Sequence, residues 1–243
     1  MLVTELGHLL IADAVAQQLS CPEEATHAVY LGAIAPDAHR IAVGVDYRDL
    51  HFRGRPGSQR QLGDFLRVYL RPALAEEDPL PQAFYAGWLS HICADAIWRR
   101  RIRAEMPDLW KAIAGQTSPE AKRLRSLFHS ECDWVDLKLY RQHTADLERV
   151  RWLLGQPMPG LTVPPLNVGD IYRWRRHVVQ HLLPPEGVPL EEPQYATLVF
   201  TLGCLLEAQE ETMSVLNWEK KQIAEGHADT PGQNLPLNLT GDA

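Results

Sequence analysis

Apolar residues recur along most of the chain every three or four positions, the spacing of an α-helix with one buried face. This pattern predicts helices over 3–19, 23–31, 58–75, 81–103, 118–154, 169–183 and 191–224. The longest of these opens with Ser118 in a capping position and Pro119 in the first turn, a pairing typical of helix starts.

Polar and Pro/Gly-rich stretches separate the predicted helices. Residues 37–57 and the connector GQPMPGLTVPPLNVGD are predicted loops. The chain shows neither the alternation of a half-buried strand nor a hairpin dipeptide. We therefore predict an all-α fold, a single-domain multi-helix bundle over residues 1–225, followed by a mobile tail over 226–243.

Composition is that of an ordinary globular protein, with 45% apolar and 23% charged residues. The net charge of −7 argues against an extended nucleic-acid surface, which requires a basic face. The four cysteines form no CxxC pair, which favours free thiols. The apolar N-terminal stretch lacks a basic region and is too polar to span a membrane. We expect a cytoplasmic protein without a transmembrane segment, and the sequence leaves its oligomeric state open.

Two pairs of ionisable residues stand four positions apart within predicted helices. His91 and Asp95 lie in GWLSHICADAIW, and His129 and Asp133 lie in FHSECD. Residues four apart share a helix face, and imidazole and carboxylate are both zinc ligands. Each pair has two interpretations at this point: a hydrogen-bonded couple, or half of a metal site.

Three more residues complete an ordered series with these pairs. His8 lies in the first predicted helix, Asp37 ends the stretch LGAIAPD, and His51 follows in DLHF. From residue 4 to about residue 136, the series His8, Asp37, His51, GWLSHxxxD and HxxxD resembles the zinc-dependent phospholipase C family and the related single-strand-specific zinc nucleases.

The resemblance implies an α-helical bundle around up to three zinc ions that hydrolyses phosphoesters with metal-activated water. It places Asp37, His51, His91 and Asp95 at a central ion, His8 at a neighbouring ion bridged by Asp95, and His129 and Asp133 at another.

Two departures from the family pattern reduce the expected number of ions. Arg101 stands where the family has a further histidine. The family's terminal amino ligand has no counterpart, because Met1 lies seven residues before His8. We expect one or two zinc ions, with iron or manganese as alternatives.

The remaining candidates concern proton transfer and substrate binding. Asp37 is a candidate general base as well as a ligand. Glu131 is a candidate acid/base residue, with a solvated helix position as the alternative. Arg101 and Arg53 are candidates for binding a substrate anion, because guanidinium binds phosphate in a bidentate manner. For Arg101 the alternative is a solvated helix end, and for Arg99 we favour that solvated position.

The leading hypothesis is a metal-dependent hydrolase that acts on a small-molecule phosphoester. One alternative is a metalloenzyme of the same fold redirected to lyase, cyclase or ester-hydrolysis chemistry. The other is a non-enzymatic helical protein in which the His/Asp pairs form a structural metal site or a buried polar network.

Overall fold

The computed structural model describes residues 3–52, 62–142, 144–157, 160–182 and 193–226. Within these residues the regular structure is helical throughout and contains no strand. The prediction of an all-α fold is therefore confirmed.

The helices follow one another with short connections. They are α1 (Glu5–Gln18), α2 (Glu23–Ile34), a 3-10 helix (Ala35–Arg40), α3 (Tyr47–Leu50), α4 (Leu62–Phe65), a π-helical turn (Leu66–Leu70), α5 (Arg71–Ala75), α6 (Pro79–Glu105), α7 (Pro107–Ile113), α8 (Pro119–Gln142), α9 (Thr144–Leu154), α10 (Val168–His181) and α11 (Leu198–Ala224). Side-chain caps begin several of them. The Thr4 hydroxyl accepts from the Gly7 amide at α1, and Asp78 accepts from the Leu80 amide at α6.

Helix α6 forms the centre of the molecule. It packs most extensively against α2, and α1 and α11 also lie against it. Trp88 and Trp98 are among the largest fully buried side chains and both belong to α6. Helix α10 covers the 3-10 helix that follows α2. The result is a buried central helix with candidate functional residues on its face.

Two glycines allow α2 and α6 to cross at backbone contact. A Cβ atom on Gly87 would lie 2.0 Å from the carbonyl oxygen of Val29, and one on Gly32 would lie 1.9 Å from that of Phe84. Both distances are too short for a side chain, so the crossing requires glycine at both positions. The close approach brings the C-terminal end of α2 against the middle of α6.

The structure corrects two predicted helix boundaries. The start predicted at Ser118 is confirmed, since its hydroxyl accepts from the Ala121 amide, but α8 ends at Gln142 and α9 is a separate helix. The helix predicted over 191–224 begins only at Leu198. The preceding amides of residues 194–196 bind the side chain of Glu131 instead of continuing the helix.

The predicted loop 37–57 contains the end of the 3-10 helix and the single turn of α3. Residues 58–61 of a predicted helix and 227–243 of the predicted tail lie outside the described residues. The four cysteines are free thiols. Among the described helices, none has the combination of length and apolar character that crossing a bilayer requires.

Replacing Gly87 with alanine tests the α2–α6 crossing. The added methyl group has to push two backbones apart, so we expect Gly87→Ala to lower the free energy of unfolding by at least about 2 kcal/mol. Denaturant unfolding monitored by circular dichroism measures the change.

The matched control is Gly63→Ala, since a Cβ at this helical glycine meets no atom within 4 Å. We expect its stability to be unchanged or slightly higher. Equal stability of the two variants would contradict the close crossing.

Candidate metal centre

Five of the predicted site residues meet at the α2–α6 crossing. His8 comes from α1, Asp37 from the 3-10 helix, His51 from the end of α3, and His91 and Asp95 from α6. None of the five is more than 2% exposed. The fold thus removes three imidazoles and two carboxylates from water at one point.

The atoms of Asp37, His51 and His91 are spaced to share one ion. The Nε2 atoms of His51 and His91 are 2.9 Å apart, and they lie 3.6 and 4.0 Å from Oδ1 of Asp37. Zinc lies about 2.0–2.2 Å from nitrogen and oxygen ligands, so one ion can contact atoms up to about 4.4 Å apart. All three distances are within that limit.

Backbone carbonyls fix which nitrogen of each imidazole faces inward. Nδ1 of His91 lies 2.7 Å from the carbonyl oxygen of Ala33, and Nδ1 of His51 lies 2.9 Å from that of Tyr47. A carbonyl can only accept, so each Nδ1 carries a proton. In the neutral rings the two Nε2 atoms are then both acceptors, although they face each other. This is the arrangement of metal-binding histidines, whose outer N–H is bonded to a carbonyl.

His8, His91 and Asp95 form a second group with metal-ligand spacing. The rings of His8 and His91 are stacked with centroids 3.7 Å apart, and Nε2 of His8 lies 3.8 Å from Oδ1 of Asp95. Neither nitrogen of His8 has a hydrogen-bond partner, and neither has Oδ1 of Asp95. Buried polar atoms without partners are costly, which points to a missing ligand.

The electrostatics of the cluster favour the protonation states that bind metal. Burial lowers the pKa of His8 and lowers that of His91 well below its usual value, so both are neutral at pH 7. Burial acts to raise the pKa of Asp95, but Arg99 and the imidazoles outweigh it and bring the pKa to about 2. For Asp37, likewise, His51 and its other neighbours outweigh burial and lower the pKa.

Each carboxylate has one outer and one inner oxygen. Oδ2 of Asp37 lies 3.1 Å from the guanidinium of Arg40, and Oδ2 of Asp95 lies 3.4 Å from that of Arg99. The two Oδ1 atoms face the imidazoles and have no hydrogen-bond partner. Neutral imidazoles and inward carboxylate oxygens are a donor set that suits a divalent ion such as zinc. The residues present therefore fit the group that the sequence implies.

Residues 7–131 match the model of the zinc-dependent phospholipase C family, a little more than half of the chain. The chain belongs to this family. The matched region contains all five residues of the cluster. No curated protein and no solved structure matches the chain.

The other residues that the family resemblance singles out lie elsewhere. His129 and Asp133 are exposed on α8 and are not part of either metal-ligand group. Arg101 pairs with Glu105 at 2.6 Å and lies over the ring of Phe200, so it packs on α11. Arg53 lies outside the described residues.

Glu131 is buried and binds backbone rather than facing the cluster. Its carboxylate accepts from the amides of Gln194, Tyr195 and Ala196 at 2.8–2.9 Å. These contacts hold the segment that leads into α11. The structure supplies an anchoring role for Glu131 that neither sequence interpretation included.

Two residues that touch the cluster were missed by the sequence analysis. The hydroxyl of Tyr47 donates to Asp95 at 3.0 Å, and Arg99 is buried rather than solvated. Both carried a signal in their spacing. Tyr47 stands four residues before His51, and Arg99 stands four residues after Asp95.

Glu131→Gln tests the anchoring role. The amide keeps one acceptor oxygen but loses the charge and turns an NH2 group toward backbone N–H donors. We expect a loss of at least about 2 kcal/mol in the free energy of unfolding with no change in metal content. Chemical denaturation and elemental analysis of the same preparations provide the two measurements.

Glu120→Gln is the control, because Glu120 is exposed on the same helix and pairs only with Arg123 there. A stable Glu131→Gln protein that had lost metal would instead place Glu131 in the metal site.

Proposed function

We propose that the protein is a metal-dependent hydrolase of phosphoesters, with zinc held by His8, Asp37, His51, His91 and Asp95. The observation that carries the proposal is the pair of inward Nε2 atoms, 2.9 Å apart, whose rings each donate Nδ1–H to a carbonyl. Two facing acceptors repel each other unless a cation or a proton lies between them. Membership of the zinc-dependent phospholipase C family supports the choice of zinc and of a phosphoester.

One fully ligated ion per chain is the stoichiometry that the geometry favours. Both three-residue groups include His91. Its Nδ1 is occupied by Ala33, so only Nε2 is left to bind an ion. A single lone pair serves a single ion, and the two groups therefore cannot both be completed at once.

When bound, zinc lowers the pKa of a water ligand and polarises a phosphoryl oxygen. The protein residues hold the ligand atoms in place and keep bulk water out of the cluster, since all five are buried. Arg40 fixes the outer oxygen of Asp37 and is itself held by Glu5 at 2.5 Å. The lowered pKa of Asp37 suits a metal ligand better than a general base, because a base works best with a pKa near the operating pH.

A small phosphoester is the substrate class that we propose. His39 and Arg40 are the partly exposed neighbours of Asp37, at 3.8 and 3.1 Å, so the groups at the outer edge of the cluster are an imidazole and a guanidinium. Guanidinium groups favour phosphate oxygens. His129, Asp133 and Arg101 are not part of this proposed site.

Asp37→Asn is the test of the proposed chemistry. The amide is a poor zinc ligand, so we expect hydrolysis of bis(4-nitrophenyl) phosphate to fall at least about 100-fold and the metal content to drop. Elemental analysis of the purified protein is paired with the release of nitrophenolate after zinc is removed by chelation and then restored.

His91→Ala is expected to lose the metal as well, whereas His177→Gln, an exposed histidine on α10, should retain both metal and activity. Stoichiometric zinc without hydrolysis of either a phosphodiester or 4-nitrophenyl phosphate would contradict a phosphoester hydrolase and favour a structural metal site. Absence of metal from all three proteins would contradict the metal site itself.

A further inference from the structure

Tyr47 contacts the metal cluster at two points. Its backbone carbonyl accepts from Nδ1 of His51 at 2.9 Å, and its hydroxyl donates to Oδ2 of Asp95 at 3.0 Å. Its ring also lies against that of His51, with centroids 3.8 Å apart. One residue of α3 therefore fixes two of the proposed ligands, which come from different helices.

Arg99 extends this contact from the other side of the carboxylate. Its guanidinium donates to the Tyr47 hydroxyl at 3.0 Å and reaches Oδ2 of Asp95 at 3.4 Å. Arginine can only donate and a carboxylate can only accept, so the tyrosine proton has to point at Asp95. The three groups form a directed chain from Arg99 through Tyr47 to Asp95.

The chain occupies one oxygen of Asp95 and leaves the other for an ion. Oδ2 has two donors, which is the number of its lone pairs. Oδ1 is buried without a hydrogen-bond partner and lies 3.8 Å from Nε2 of His8. A carboxylate with one saturated oxygen cannot bridge two ions through both of its oxygens.

We propose that Tyr47 and Arg99 are positioning residues that reserve Oδ1 of Asp95 as its only ligand atom and so restrict Asp95 to a single metal ion. This inference rests on the proposed metal site but not on the reaction. It assigns a function to two residues that lie beside the ligands without being ligands themselves.

The test is zinc affinity, measured by competition with a chromogenic chelator on metal-free protein. Tyr47→Phe removes the hydroxyl without a change of charge, and Arg99→Lys keeps the charge but loses the planar fork. Loss of such outer partners costs about 10- to 100-fold in metal affinity, and we expect a weakening of that size in each variant. Arg99→Met is unsuitable, because removing a cation beside the ion would by itself strengthen binding.

The double variant Tyr47→Phe/Arg99→Lys shows whether the two residues act as one unit. We expect its affinity to be no weaker than about that of the weaker single variant, since either change breaks the same chain. The visible spectrum of the cobalt(II)-substituted protein should change in all three variants, because the carboxylate is no longer restrained. The metal-free melting temperature controls for a purely structural effect.

Tyr172→Phe and Arg103→Lys are matched controls: Tyr172 is exposed on α10 and Arg103 is exposed on α6, where it lies over Trp110. Wild-type zinc affinity and cobalt spectrum in Tyr47→Phe would overturn the inference, as would two zinc ions per wild-type chain bridged by Asp95. If wild-type protein itself binds no zinc, the proposed function fails along with it. If wild-type protein and both single variants bind zinc equally, only this inference fails.

Discussion

The backbone contact between α2 and α6 is the constraint on which the rest of the structure depends. Gly32 and Gly87 permit an approach that any side chain would block. That approach places the Ala33 carbonyl within hydrogen-bond distance of His91, and it sets where the following 3-10 helix carries Asp37. The orientation of a proposed ligand and the position of another thus follow from the absence of two methyl groups.

Around this crossing the protein buries groups that a purely structural core would avoid. Three imidazoles, two carboxylates and the guanidinium of Arg99 lie together with little exposure. Arg40 and Arg99 pair with the outer carboxylate oxygens, while the inner oxygens and both nitrogens of His8 have no hydrogen-bond partner. Burial of unpaired polar atoms lowers stability, so such a cluster marks a functional site rather than a packing solution.

Glu131 and Arg101 show how similar local sequence leads to different roles. Both lie on charged stretches of helix near proposed ligands in the sequence. The structure gives Glu131 three backbone amides that lead into α11, and it directs Arg101 onto the ring of Phe200. Arg99, two positions earlier on the same helix, faces the cluster instead, because two residues of α-helix correspond to a rotation of about 200°.

The sequence by itself determined the helical class, most helix positions, the family and the five residues that meet in the cluster. These features are encoded locally, by helical periodicity and by ligand pairs four residues apart. Only the tertiary structure decided that Tyr47 reaches Asp95 across 48 positions, that Glu131 binds the segment beginning 63 positions later, and that α11 starts at Leu198. Such contacts depend on how helices rotate and cross when they pack, and a short sequence window contains no record of that geometry.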